Sequence, residues 1–369
     1  MVIYIIIALS LLLFAVLSDI NYFREKKVFQ IIFLICGCIQ LFFVSGFRVN
    51  TGHDYPAYTN NFISFMSETL SELSVERMEK GYVILNRYIQ LFTNDFRILF
   101  IVVSLIVAVL TGIVLYKYCR NPSLGLLMFY LWGFYFNSMN FMRAMIAALI
   151  ILFAYKYIRD KQFWRFFVIV LLASAFHFSA LLMIPFFFIL HIKINYKTLS
   201  LFGVIGGVIF ILSNDIISFF STYIYTSYNP ETEYQVISGI PIAYSIFGLT
   251  ILVCAVLLKR DIKRRSGWGT ILISAAFFDL YCGFVGFKHA VVSRFGLYFG
   301  PMVILVLLPF IIRLTVSKIV NKTDTETLYI VRNYVCLIGT SLASIAFFAY
   351  ALFDNYNNVI PHQWIWNLK

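Results

Sequence analysis

The chain is 369 residues long, 61% hydrophobic and only 12% charged, with a mean hydropathy of +0.87. A soluble domain carries about 25% charged residues, so composition excludes an ordinary soluble enzyme. It points to an all-α polytopic membrane protein, a single integral membrane domain over 1–369. The net charge of +12 reads as the positive-inside rule acting on many short loops, with no nucleic-acid partner implied.

The first run, Val2 to Leu17, is apolar from the start, and its positive charges follow it (Arg24, Lys26, Lys27). A secretory signal carries them in front, so this run is expected to be a retained span that enters from outside. About 20 apolar residues cross a bilayer as a helix. By that rule further spans are expected near 29–46, 97–116, 123–137, 142–157, 198–213, 242–258, 268–285, 294–313 and 329–352.

The stretch 164–190 is apolar for about 27 residues, roughly 40 Å as one helix, against a hydrocarbon core of about 30 Å. Loop charge favours two short spans meeting near His177. Both termini then lie outside, and twenty of the 29 Lys and Arg residues fall inside. A single long span would place only twelve inside and would translocate the cluster Lys259, Arg260, Lys263, Arg264 and Arg265. The positive-inside rule prefers the split, which brings the total to about 11–12 transmembrane helices.

Two long extracytoplasmic loops are expected, at about 47–95 and 214–241. Within the first, Gly81, Leu85, Tyr88, Ile89 and Phe92 recur at helical spacing and suggest an interfacial helix. The second contains Asn229-Pro230, a turn signal. The six cysteines (36, 38, 119, 254, 282, 336) have no zinc or thioredoxin spacing, so neither a metal, a disulfide nor a cofactor is expected. HExxH is absent, which argues against a zinc protease.

Under this topology the unusual polar residues gather on the outer side. Arg48, Asp54 with Tyr55, Glu79, Asn140, Arg143, His177, His289 and Arg294 all fall in outer loops or at outer span ends. Asn140 and Arg143 are three apart, so on a helix they share a face. Bland readings exist: Arg143 could snorkel to headgroups, His177 could be a neutral core histidine, and Asp279 could pair structurally within its span. Ionisable groups at the membrane edge nevertheless tend to mark function. Arginine forks match phosphate oxygens bidentately. A histidine or carboxylate can take a proton from a sugar hydroxyl, and aromatic loops can stack on sugars. The set therefore suits glycosyl transfer from a lipid diphosphate.

At these residues the chain resembles the EpsG family of bacterial exopolysaccharide and O-antigen polymerases (Wzy type). The matching pieces are Phe47-Arg48 with Gly52-His53-Asp54-Tyr55 and Tyr58; Glu79-Lys80-Gly81-Tyr82; Asn140-Phe141-Met142-Arg143 with Ile146-Ala147; ASAFHFSA from Ala173 to Ala180; and Arg294 with Tyr298-Phe299. One departure is Ala144, where the family usually has Gln. The resemblance implies a metal-independent glycosyltransferase on a fold like the GT-C-type polymerases and ligases, in the bacterial cytoplasmic membrane with its site outside the cytoplasm. It would join undecaprenyl-diphosphate-linked oligosaccharide donor and acceptor units, alongside a chain-length regulator and a flippase of the same pathway. The roles that follow are catalytic for His177, Asp54 and Arg143, and substrate-binding for Arg48, Tyr55, Glu79, Asn140 and Arg294. The alternatives are an O-antigen ligase or other lipid-linked-sugar glycosyltransferase and, further off, a polysaccharide flippase or transporter, whose internal repeats are not evident here. No motif requires a membrane acyltransferase.

Overall fold

The computed structural model describes residues 1–67, 78–223, 240–286 and 290–319, then positions scattered between 335 and 355, and residues 358–367. The expected span at 329–352 is covered only in part. His289, Cys336 and the Asn229-Pro230 turn lie outside the described residues.

The described chain is helical apart from one two-stranded pairing, Arg48–Val49 antiparallel to Gln363–Trp364. Four helices among the described residues are long and apolar enough to cross a membrane: Val2–Asp19, Lys27–Gly46, Arg97–Tyr118 and Gly300–Lys318. Shorter apolar helices accompany them, including Pro122–Leu131, Tyr196–Ile211 and Ile271–Gly286. The protein is an all-α polytopic membrane protein.

Hydropathy alone cannot tell a lipid-facing helix from a central one, because both are apolar all round. Packing separates them. Val2–Asp19 buries a stripe at Tyr4, Ile7, Leu11, Ala15 and Ser18 and leaves Ile5, Leu9 and Leu13 exposed. Pro122–Leu131 is buried at every position, and Met142–Arg159 at most, so these two form the centre. The Asn121 side chain caps the first of them by accepting from the Leu124 N–H at 3.0 Å, with Pro122 opening the helix.

Two expected spans are broken. The run 123–137 is a helix to Leu131, a left-handed turn at Gly133 (φ +79°) and a second helix, Phe134–Asn140. The run 294–313 starts as a 3₁₀ turn, Arg294–Tyr298, and passes through a π segment, Val303–Leu307, before Leu308–Ile319. Composition sets the apolar length of such a run but does not register a reversal at one φ.

The stretch 164–190 is a hairpin. Phe163–Ser174 ends, His177 takes an extended conformation (φ −153°, ψ 115°), and Phe178–Leu182 and Met183–Ile189 lead back. The return brings the Phe187 and Phe188 rings within 5.2 and 5.3 Å of Phe163. The described part of the 47–95 segment holds two helices, Tyr55–Ser67 and Lys80–Gln90. The second buries Tyr82, Asn86 and Ile89, while Tyr88 and Phe92 stand exposed. Of the expected Gly81, Leu85, Tyr88, Ile89 and Phe92 spacing, Ile89 lies on the buried stripe, which otherwise falls one position later, at Tyr82 and Asn86. The exposed aromatic face still suits an interfacial helix.

One end of the bundle gathers both chain ends. The Tyr4 hydroxyl donates to the Val359 carbonyl at 3.1 Å and lies 3.0 Å from His362 Nδ1. The strand pairing places residues 363–364 beside Arg48.

Candidate functional site

The polar residues of this end fall into two groups. The first is a knot around Arg48, which is 2% exposed. Its Nε donates to the Thr51 carbonyl at 3.1 Å, one terminal nitrogen to the Ser45 carbonyl, and the other to the Met139 carbonyl at 2.8 Å. The guanidinium lies 5.1 Å from the centre of the Phe100 ring, on which Tyr55 stacks at 4.2 Å. Arg48 therefore satisfies helix-end and loop carbonyls that burial would otherwise leave orphaned. Tyr55 packs the floor beneath it. Neither side chain joins the cluster described next.

That cluster is built on Glu79. Its segment enters Lys80–Gln90 with Glu79 as the cap residue, and the Gly81 N–H donates to the Ala175 carbonyl at 2.8 Å. A Cβ at position 81 would stand 2.6 Å from that oxygen, so only glycine lets the two backbones approach. The contact carries Glu79 to the turn of the hairpin. There Oε1 accepts from His177 Nδ1 at 3.0 Å and from the Phe178 N–H at 3.3 Å, and Oε2 pairs with Arg143. The Glu79 side chain is 5% exposed, and those of Arg143 and His177 are each 21%.

Burial by itself would raise the Glu79 carboxyl. The His177 hydrogen bond and the Arg143 charge outweigh it and hold the carboxyl down at about 2. An ionised carboxylate only accepts, so His177 must donate through Nδ1, and in the neutral form of the ring the lone pair is then on Nε2. A carboxylate that orients a histidine in this way is the arrangement of a general base with its orienter.

Asn140 and Asp54 close one side. Asn140 Oδ1 accepts from the His53 N–H at 2.6 Å. Gly52 has φ +107°, and a Cβ there would lie 2.9 Å from the same oxygen. Asn140 therefore holds the loop that presents Asp54. Burial pushes the Asp54 carboxyl up, and the charges of Arg294, His53 and Arg143 offset this only in part. Arg294 lies 4.5 Å over the Phe141 ring. Its 3₁₀ turn is tied to the hairpin by Ser179 Oγ and the Tyr298 hydroxyl, 2.8 Å apart.

Of the residues singled out from the sequence, Glu79, Arg143 and His177 touch directly. Asp54 lies within electrostatic reach of Arg143, and Arg294 of Asp54; Asn140 positions the Asp54 loop, and Arg48 and Tyr55 stand apart. Sequence reasoning passed over Tyr58, Tyr82, Ser179 and Tyr298 as site residues. Tyr82 lies 5.5 Å from the Arg143 guanidinium and Tyr58 packs edge-on against Tyr82. All four lie in the pieces that carry the family resemblance, which was the signal for them, but no role was drawn from it.

Comparison with known proteins agrees on the family. The profile of the EpsG family matches residues 31–364, nearly the whole chain. No curated protein and no solved structure matches it.

Proposed function

The chain belongs to the EpsG family, and on that premise we propose that it is a polysaccharide polymerase. It would join undecaprenyl-diphosphate-linked repeat units at the outer face of the bacterial cytoplasmic membrane, on a GT-C-like fold. The observation that carries this reading is the Glu79 carboxylate bridging His177 and Arg143, with Arg294 nearby.

In this reading His177 Nε2 takes the proton from a sugar hydroxyl of the acceptor unit, while Glu79 holds the ring and stabilises the imidazolium that forms. The hydroxyl oxygen bonds to the anomeric carbon of the donor as the bond from that carbon to phosphate oxygen breaks. The electron pair leaves with the lipid diphosphate, so direct displacement inverts the anomeric carbon. Arg143 and Arg294 stabilise the charge growing on the diphosphate. An arginine carries five N–H donors, so Arg143 can hold Glu79 and phosphate oxygens together. Arg48, whose donors are engaged by backbone carbonyls, is left out of the phosphate role. Asp54, whose carboxyl burial raises, is the second candidate for the proton.

The test is polymer length in a strain lacking the protein and complemented with it. A ladder of repeats that collapses to a single repeat in the null strain supports a polymerase. Complete loss of attachment to the final acceptor, with free polymer still made, indicates a ligase instead.

A further inference from the structure

Met142–Arg159 runs from Arg143 to Arg159, about 24 Å at 1.5 Å per residue. At its far end the Arg159 guanidinium lies 5.1 Å over the Trp268 ring. Trp268 lines a cavity of about 350 Å³, so this cavity sits at the end of the bundle opposite Glu79. Three arginines from three separate parts of the chain line it, Arg120 just before the helix Pro122–Leu131, Arg265 at the end of the short helix Lys259–Arg265 and Arg313 within Leu308–Ile319, and among the described residues no carboxylate does. Two acids feel charges of the wall, Asp19 those of Arg313 and Arg120 and Asp261 that of Arg265, but neither is in the wall, and Asp261 pairs with Lys318 at 2.6 Å.

We propose that this cavity is a second binding site, for a phosphate-bearing ligand, distinct from the Glu79 cluster. Four observations support it. The Nε of Arg313 is buried, with no hydrogen-bond partner among the described residues, and a buried donor of this kind is costly unless a ligand or water accepts from it. The helix Pro122–Leu131 begins at the wall, where Asn121, Leu124 and Gly125 line the cavity, and the positive end of a ten-residue helix favours an anion. Beside Ser266 and Ser317 the wall carries a large apolar share, including Met128, Leu305 and Phe310, which suits an amphiphile better than a bare ion. The wall also includes Leu305 of the π segment Val303–Leu307. Such insertions widen a helix locally and often accompany functional sites.

The plain rival is a set of arginines near helix ends that serve membrane orientation only. Lysine serves orientation equally well but loses the planar fork that fits phosphate. The experiment is the thermal unfolding midpoint of the purified full-length protein in detergent. It is titrated with short-chain phosphatidylglycerol, with phosphatidylcholine, and with inorganic phosphate. A rise with phosphatidylglycerol alone assigns a lipid headgroup; a rise with inorganic phosphate as well assigns a soluble phosphate compound. In either case the apparent affinity should fall about tenfold in Arg265→Gln, as for loss of one charge-assisted contact. Arg265 is exposed, so that variant should fold. It should fall further in the triple variant Arg120→Lys, Arg265→Lys, Arg313→Lys, and stay unchanged in Arg143→Ala. No response to any of the probes, an equal response in the triple lysine variant, or loss of response in Arg143→Ala would each overturn the proposal.

Discussion

Arg48 and Arg143 stand at the same end of the molecule and are used in opposite ways. Arg48 is sealed in, and its donors go to fixed backbone carbonyls of the Ser45, Thr51 and Met139 residues. Arg143 is partly open, and among its partners is a carboxylate that also grips His177 at a helix break. A cation spent on carbonyl dipoles holds a shape. A cation paired with a carboxylate in a partly open site can still exert its field on an arriving anion. Burial and partner, more than residue type, separate the two.

The largest effect expected from breaking this contrast is at Arg48. Arg48→Met leaves three buried carbonyls without their donor, at about 1–3 kcal/mol each. The expected outcome is a steep fall in the level and thermal stability of the membrane protein, with activity per folded molecule little changed. A well-expressed, stable and inactive Arg48→Met protein would assign the residue to catalysis instead.

Next in size is His177. If it is the base, His177→Ala and His177→Asn should both lower chain extension by about 10²–10⁴-fold at normal protein level. Asparagine can replace one neutral hydrogen bond but cannot take a proton near neutral pH, so a structural histidine would tolerate Asn far better than Ala. Wild-type polymer from a well-expressed His177→Asn protein would move the base role to Asp54.

Arg143→Lys probes the other partner. It keeps the charge but loses the fork, so extension should fall about tenfold or more while the protein still inserts. Full activity in the lysine variant would mark Arg143 as a headgroup anchor.

The smallest effect concerns acid. The Glu79 carboxyl sits at about 2 in the folded protein, against an ordinary value of 4.5. Its contribution to holding the hairpin is complete above about 4.5 and is lost as the pH falls towards about 2. Thermal stability of the wild type should therefore drop across that window, and Glu79→Gln should flatten the drop. Equal acid sensitivity in both proteins would mean that other carboxylates govern it.

Much of the scaffold was legible. Val2–Asp19, Lys27–Gly46 and Arg97–Tyr118 answer to apolar runs near 2–17, 29–46 and 97–116. The charge count chose two short elements over one at 164–190, and the chain does turn back at His177. The breaks at Gly133 and within Arg294–Leu307 escaped, because an apolar window reports transfer free energy and is blind to backbone reversal. At the site, the resemblance picked out Glu79, Asn140, Arg143 and His177, but ranked Arg48 and Tyr55 beside them. A buried arginine and an exposed one look alike in sequence.

What the sequence determined by itself was membrane residence, the order of the apolar elements and the roster of polar residues at their ends. Each of these is a sum over neighbours in the chain. Tertiary structure alone decided which members of the roster meet. Glu79 and His177 are 98 positions apart, brought together by a backbone approach that a side chain at Gly81 would block. A polar group's role depends on the partner that offsets its desolvation, and that partner is supplied by the fold.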